Sequence, residues 1–128
     1  MTSVRDPEQV VREFFAAVTK HDAEALRPYF TDDVVYHNIP MDPAVGIDDT
    51  ITFLAGFFAM CDRLEFETSH LAVRGDVVMT ERVDTFYVGD VVAPLPVMGV
   101  FEIRDGRICA WRDYFDMAQA TKAFTGGA

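Results

Sequence analysis

Lysine is almost missing from this sequence: Lys20 and Lys122 are the only two in 128 residues. With arginine included there are 11 basic side chains against 21 acidic ones, a formal net charge of -10. A polyanion such as nucleic acid needs a basic patch, and no Lys/Arg cluster exists here. An anionic membrane surface is disfavoured on the same ground. Long apolar runs are absent too, and no stretch of about 20 apolar residues could span a bilayer. No basic segment followed by an apolar one opens the chain, so no secretory signal is expected and a cytoplasmic location is. Cysteine occurs twice, at Cys61 and Cys109. A single disulfide is one option; two buried thiols in a reducing compartment are the favoured one. His21, His37 and His70 share no ligand spacing, and neither HExxH nor paired CxxC occurs, so no metal is expected. A phosphate-binding glycine loop and a GxSxG elbow are also lacking, which removes support for nucleotide binding and for a serine hydrolase.

What remains is ordinary globular usage, with 50% hydrophobic and 25% charged residues. A chain of this length can bury a core without disulfides or metals. The 11 phenylalanines can fill that core or line a pocket for an apolar ligand. Composition does not separate the two, and core is the default.

Asp6-Pro7-Glu8-Gln9 reads as a helix start, with Asp6 as cap, Pro7 in the first turn and Gln9 reaching back. Val10, Val11, Phe14, Phe15 and Val18 continue at helical spacing. Asp22 can cap a short second helix carrying Leu26, ended by Pro28 and Thr31-Asp32-Asp33. Val34 to Ile39 reads as a strand, and Pro40, Pro43 and Gly46 then break the chain. Asp48 can cap a third helix with Ile51, Leu54, Ala55, Phe58 and Cys61 on its apolar face. Four strands follow, at 64–74, 77–87, 91–103 and 107–115, separated by Gly75-Asp76, Gly89-Asp90 and Asp105-Gly106. Turns this short join antiparallel neighbours. Pro94 and Pro96 mark 91–100 as an edge strand, a loop or a dimer contact. A brief helix over 117–124 closes the chain, and a Gly126-Gly127 tail is expected to fray. The sum is a single α+β domain over 1–128, with a curved antiparallel or mixed sheet forming a cone and the N-terminal helices packed over it around a deep pocket.

Polar residues at alternating strand positions carry the chemistry. Side chains at i and i+2 share a face of a strand. Tyr36 and Asn38 therefore face together, as do Arg82 and Asp84, while Asp113 shares its face with Trp111 and Phe115. A carboxylate between aromatics needs a partner, and a planar guanidinium can bridge two carboxylates. An Asp–Arg–Asp group titrates as a coupled set. With one shared proton it carries no net charge, and one aspartate can be a base while the other is an acid. Tyr36 and Asn38 add groups that can hold a water. The plainer account is a surface salt-bridge ladder, a core tyrosine and an ordinary strand end. Spacing alone does not show that the three strands face one another. His37 points away from Tyr36 and Asn38 and reads as structural.

These residues also carry a resemblance. Tyr36-His37-Asn38-Ile39-Pro40-Met41, Glu81-Arg82-Val83-Asp84, Gly99-Val100-Phe101 and Trp111-Arg112-Asp113-Tyr114-Phe115-Asp116 resemble the motifs of the limonene-1,2-epoxide hydrolase family, within the nuclear transport factor 2-like (SnoaL-like) folds. The resemblance covers most of the chain. It implies that Asp113 is a general base, that Tyr36 and Asn38 help it orient a water, that Asp84 is the acid and that Arg82 bridges the two. It implies a homodimer, no cofactor and a small apolar epoxide as substrate. By position, Phe57, Cys61, Phe86 and Trp111 would line the pocket. Two rivals share the fold. An isomerase or polyketide cyclase is one, although Asn38 cannot be a base where an isomerase needs a carboxylate. A non-catalytic ligand-binding dimer is the other, and it leaves five matched polar positions without a purpose.

Overall fold

The computed structural model describes residues 6–125, and the Gly126-Gly127 tail lies outside them. Helix α1 (Pro7–Val18) starts as its sequence demands, with the Asp6 carboxylate accepting from the Glu8 amide. Its apolar positions Val10, Val11, Phe14, Phe15 and Val18 are all buried. A 3-10 helix (Glu24–Tyr29) follows, with Pro28 inside it rather than ending it. Strand β1 (Phe30–Asn38) begins earlier than the apolar run suggests. Thr31, Asp32 and Asp33 belong to it, because Asp32 and Asp33 are exposed where β1 needs no core residue. The two-residue strand β2 (Ala44–Val45) leads into α2 (Ile47–Met60).

The cap of α2 corrects the sequence reading. Gly46, not Asp48, occupies the N-cap, at φ 89°. A side chain tolerates that conformation poorly, so the helix starts directly after the glycine. Asp48 instead lies in the first turn, where a negative charge suits the helix dipole, and accepts from Arg27 at 2.7 Å. Ile51, Leu54 and Phe58 face the core, whereas Ala55 is exposed.

Strands β3 (Arg63–Arg74), β4 (Val77–Val88), β5 (Val91–Arg104) and β6 (Arg107–Tyr114) form the meander, and α3 (Met117–Phe124) follows with Asp116 as its cap. The β5–β6 turn places Asp105 and Gly106 both at positive φ, as a two-residue hairpin turn requires. The sheet order is β2-β1-β6-β5-β4-β3, antiparallel except for the β1–β6 pair. Register shifts in the β1–β6, β3–β4 and β5–β6 pairs bend the strands, and the mixed sheet curls around the helices while staying open.

Strand β5 is interior only over 98–104; the stretch that carries its prolines is an edge, as they suggest. Its pairing with β6 runs only from Met98 to Arg104. Pro94 and Pro96 lie beyond the end of β6, paired with β4 on one side alone. Missing amide hydrogens therefore break no ladder. Leu95 and Val97 in this stretch pack with Ala120 of α3. Cys61 and Cys109 are both free thiols, Cys61 buried and Cys109 half-buried. Among the described residues no helix is long and apolar enough to cross a membrane.

The core is centred on Phe14, whose ring meets Tyr29, Phe30, Phe101 and Trp111 edge-on, with centroids 5.1–6.3 Å apart. Such contacts add to the area buried. Phe14→Ala should therefore lower the unfolding free energy by about 3–5 kcal/mol, measured by urea denaturation.

Candidate active site

The register places the polar residues in rows across the concave face. Asn38 (β1), Asp113 (β6), Gly99 (β5) and Thr80 (β4) form one row, and Tyr36, Trp111, Phe101 and Val78 form the next. Arg82 and Asp84 continue the inward face of β4. All five residues singled out by their strand alternation, Tyr36, Asn38, Arg82, Asp84 and Asp113, are buried, with exposures of 1–5%. A surface salt-bridge ladder is thereby excluded.

Arg82 is the centre. Its Nε and Nη2 donate to the two oxygens of Asp84 at 2.9 and 2.8 Å. Nη1 and Nη2 donate to the two oxygens of Asp113 at 3.2 and 3.0 Å. The remaining Nη1 hydrogen goes to Thr80 Oγ1 at 3.1 Å. Every donor of the guanidinium has an acceptor. The rings of Phe66 and Phe15 lie 4.8 and 5.2 Å from its central carbon, a favourable cation–π placement out of water. Burial alone would make this cation easier to deprotonate, but Asp113 and Asp84 outweigh it and its proton is held more tightly than usual.

The two carboxylates have different surroundings. Among the described residues Asp84 receives Arg82 alone, and burial pushes its pKa up to about 6 against the pull of the guanidinium. Asp113 receives Arg82 and also the indole N–H of Trp111, at 2.8 Å on Oδ1. Tyr36 stacks on Trp111, with centroids 4.0 Å apart, and its hydroxyl lies 3.4 Å from Asn38 Oδ1. Burial, and then the charge of Asp113, raise the pKa of Tyr36 above the usual phenol value, so it stays protonated.

These groups form the floor of a cavity of about 580 Å³ whose walls are almost wholly apolar. Tyr36, Asn38, Asp84, Asp113 and Trp111 line it, and Phe57 and Phe86 face each other across 6.0 Å. Cys61 does not line it. The helix ends at Met60, and the Cys61 thiol turns back to donate to the Phe57 carbonyl at 3.3 Å, within the core. His37 does not line the cavity; its Nε2 contacts the Met41 carbonyl at 2.9 Å. Thr80 is the member that sequence reading missed, although it stands two residues before Arg82 in the same alternation. Phe53, Phe66, Leu95 and α3 residues such as Phe124 also line the walls; only the sheet curl brings them there.

The curled, open mixed sheet with its helices has the α+β fold of the nuclear transport factor 2-like proteins. A SnoaL-like polyketide cyclase from Shewanella denitrificans superposes with a TM-score of 0.82 over 93% of this chain and 96% of its own, at 17% identity, a likeness of fold alone. The catalytic-domain model of the limonene-1,2-epoxide hydrolases matches residues 5–125. Epoxide hydrolase EphG of Mycobacterium tuberculosis is 34% identical over 119 residues, 91% of this chain and 78% of its own. A solved limonene-epoxide-hydrolase-like enzyme from M. tuberculosis is 33% identical, with a TM-score of 0.79 over 94% of this chain and 90% of its own. The chain belongs to the limonene-1,2-epoxide hydrolase family, and its enzyme class is that of an epoxide hydrolase.

Proposed function

We propose that this enzyme opens an apolar epoxide to a vicinal diol in one step, with water activated on the sheet floor. The observation that carries the reading is the buried Asp84–Arg82–Asp113 bridge beneath an apolar cavity. Asp113 is the base. Tyr36 and Asn38 on the neighbouring strand hold the water beside it. As Asp113 takes one proton from the water, the water oxygen attacks an epoxide carbon and the carbon–oxygen bond breaks. Asp84 gives its proton to the departing oxygen. The base has gained one proton and the acid has lost one, so a single net transfer between them resets the site. Arg82 keeps the carboxylates in register through the exchange. No cofactor is needed, since a protein group handles each proton.

The walls supply the rest. Phe57, Phe86 and Trp111 contact the hydrocarbon body and exclude bulk water. A neutral set of one guanidinium, one carboxylate and one carboxylic acid does not repel an uncharged substrate. Positioned acid and base groups contribute roughly 10²–10⁴-fold each.

The outer sheet face suits a homodimer. Val92, Met98, Tyr114, Met79 and Val83 are exposed there, and Met98 pairs with Tyr114 across β5 and β6. An exposed apolar face of this kind marks a contact surface, and a twofold pairing is self-complementary.

Asp113→Asn should stay folded by circular dichroism and lower diol formation by about 10²–10⁴-fold, read on a panel of apolar epoxides from small to large. A folded variant with the wild-type rate, or no diol from the wild type on any member, rejects the reading. The pH profile follows from Asp84. Its proton is present below about 6 and leaves above it, so kcat/KM should fall as pH rises through that value, about tenfold per unit beyond it. Met98→Arg should turn a dimer into a monomer by sedimentation, leaving the cavity intact.

A further inference from the structure

The inward face of β5 presents Ala93, Leu95, Val97, Gly99, Phe101 and Ile103 in alternation, all buried. A glycine within such a run weakens a strand and leaves nothing to pack. Backbone conformation does not call for it, because Gly99 is not among the residues at positive φ. Space does. A Cβ built at Gly99 would lie 2.7 Å from Asp113 Oδ1 and 3.1 Å from Thr80 Oγ1, and closer still to Arg82 Nη1.

The register explains the crowding. Gly99 pairs with Thr80 on one side and with Asp113 on the other. Arg82 is anchored on β4 and its second carboxylate on β6, two strands and roughly 10 Å away. The guanidinium must cross β5 to reach Asp113, and it crosses over the bare Cα of Gly99. Nη1 cannot simply swing aside, since both its hydrogens are engaged, with Asp113 and Thr80. Asp113 Oδ1 is pinned in turn by the indole of Trp111.

We propose that Gly99 is a positioning residue, whose missing side chain is the channel through which Arg82 couples the two carboxylates. A methyl group there pushes the guanidinium off Asp113. The Asp84 contacts through Nε and Nη2 survive, so the bridge breaks on the side of the base. The effect on rate rests on the mechanism above, but the effect on the bridge does not.

Trp111 is the only tryptophan in the chain, and its indole bonds directly to Asp113. Its emission therefore senses that carboxylate without any substrate. Gly99→Ala should change the wavelength and yield of the Trp111 emission at neutral pH, because the carboxylate that accepts its indole N–H is released from the guanidinium. On an epoxide that the wild type turns over, kcat should fall by roughly 10²-fold, with KM within about twofold as expected where substrate binding is untouched. An unmoved emission profile, or a loss confined to KM, overturns the proposal. If Gly99→Ala is too unstable to study, the Arg82→Lys background decides. The slimmer ammonium leaves room for the methyl, so the drop in melting temperature caused by Gly99→Ala should shrink in that background. An equal drop in both backgrounds places the clash elsewhere and overturns the proposal as well. The emission and melting measurements stand even if no epoxide is converted, which separates a failure of this proposal from a failure of the assigned reaction.

Discussion

A guanidinium removed from water has to direct each of its N–H bonds at a protein acceptor, and Arg82 does so with Asp84, Asp113 and Thr80. Breaking a buried pair costs far more than an exposed one, because the partner is left charged and dry. The surrounding architecture serves this demand. Three strands must be in register to bring the acceptors into one plane. Aromatic faces from α1, β3 and β5 must close over the cation. The sheet must curl enough to keep the assembly at the bottom of a cavity rather than on a flat surface.

The same bridge separates two chemically identical side chains. Among the described residues Asp84 has the guanidinium as its only hydrogen-bond partner, and it carries a strong burial penalty. Asp113 has the guanidinium, an indole N–H and neighbours on β1 with polar tips. Different surroundings for two carboxylates are the physical basis for the opposite roles proposed for them. The aromatic stack of Tyr36 on Trp111 helps fix this difference, since it sets where the indole hydrogen points.

Much of this was legible in the sequence, and for definite reasons. Period-two alternation put Tyr36 with Asn38 and Arg82 with Asp84 on shared strand faces, the family resemblance joined them to Asp113, and the helical spacing of Val10 to Val18 located the core face of α1. Short glycine turns gave the antiparallel meander. Contacts that depend on how far the sheet curls were not legible. The place of Cys61 turned on where α2 stops and which way a thiol faces at an extended cap. The prolines of β5 suggested an edge because they remove amide hydrogens; the strand satisfies that rule locally, past the end of β6. The helix start at Gly46 was hidden by Asp48, a better capping residue two positions too late. The space over Gly99 could not be seen, since it exists only once three strands are side by side.

The buried Asp84–Arg82–Asp113 bridge stands on strands β4 and β6, while much of the cavity wall comes from α2 and α3. The two parts answer to different constraints. Strand positions are tied to hydrogen-bond ladders, and a small shift there disturbs the bridge between the carboxylates. Wall residues such as Phe53, Phe57 and Phe124 are tied only to packing and can exchange size for shape. Selection, or a protein engineer, can thus remodel what the cavity admits while the reacting groups keep their geometry, so that substrate range drifts and reaction type stays put.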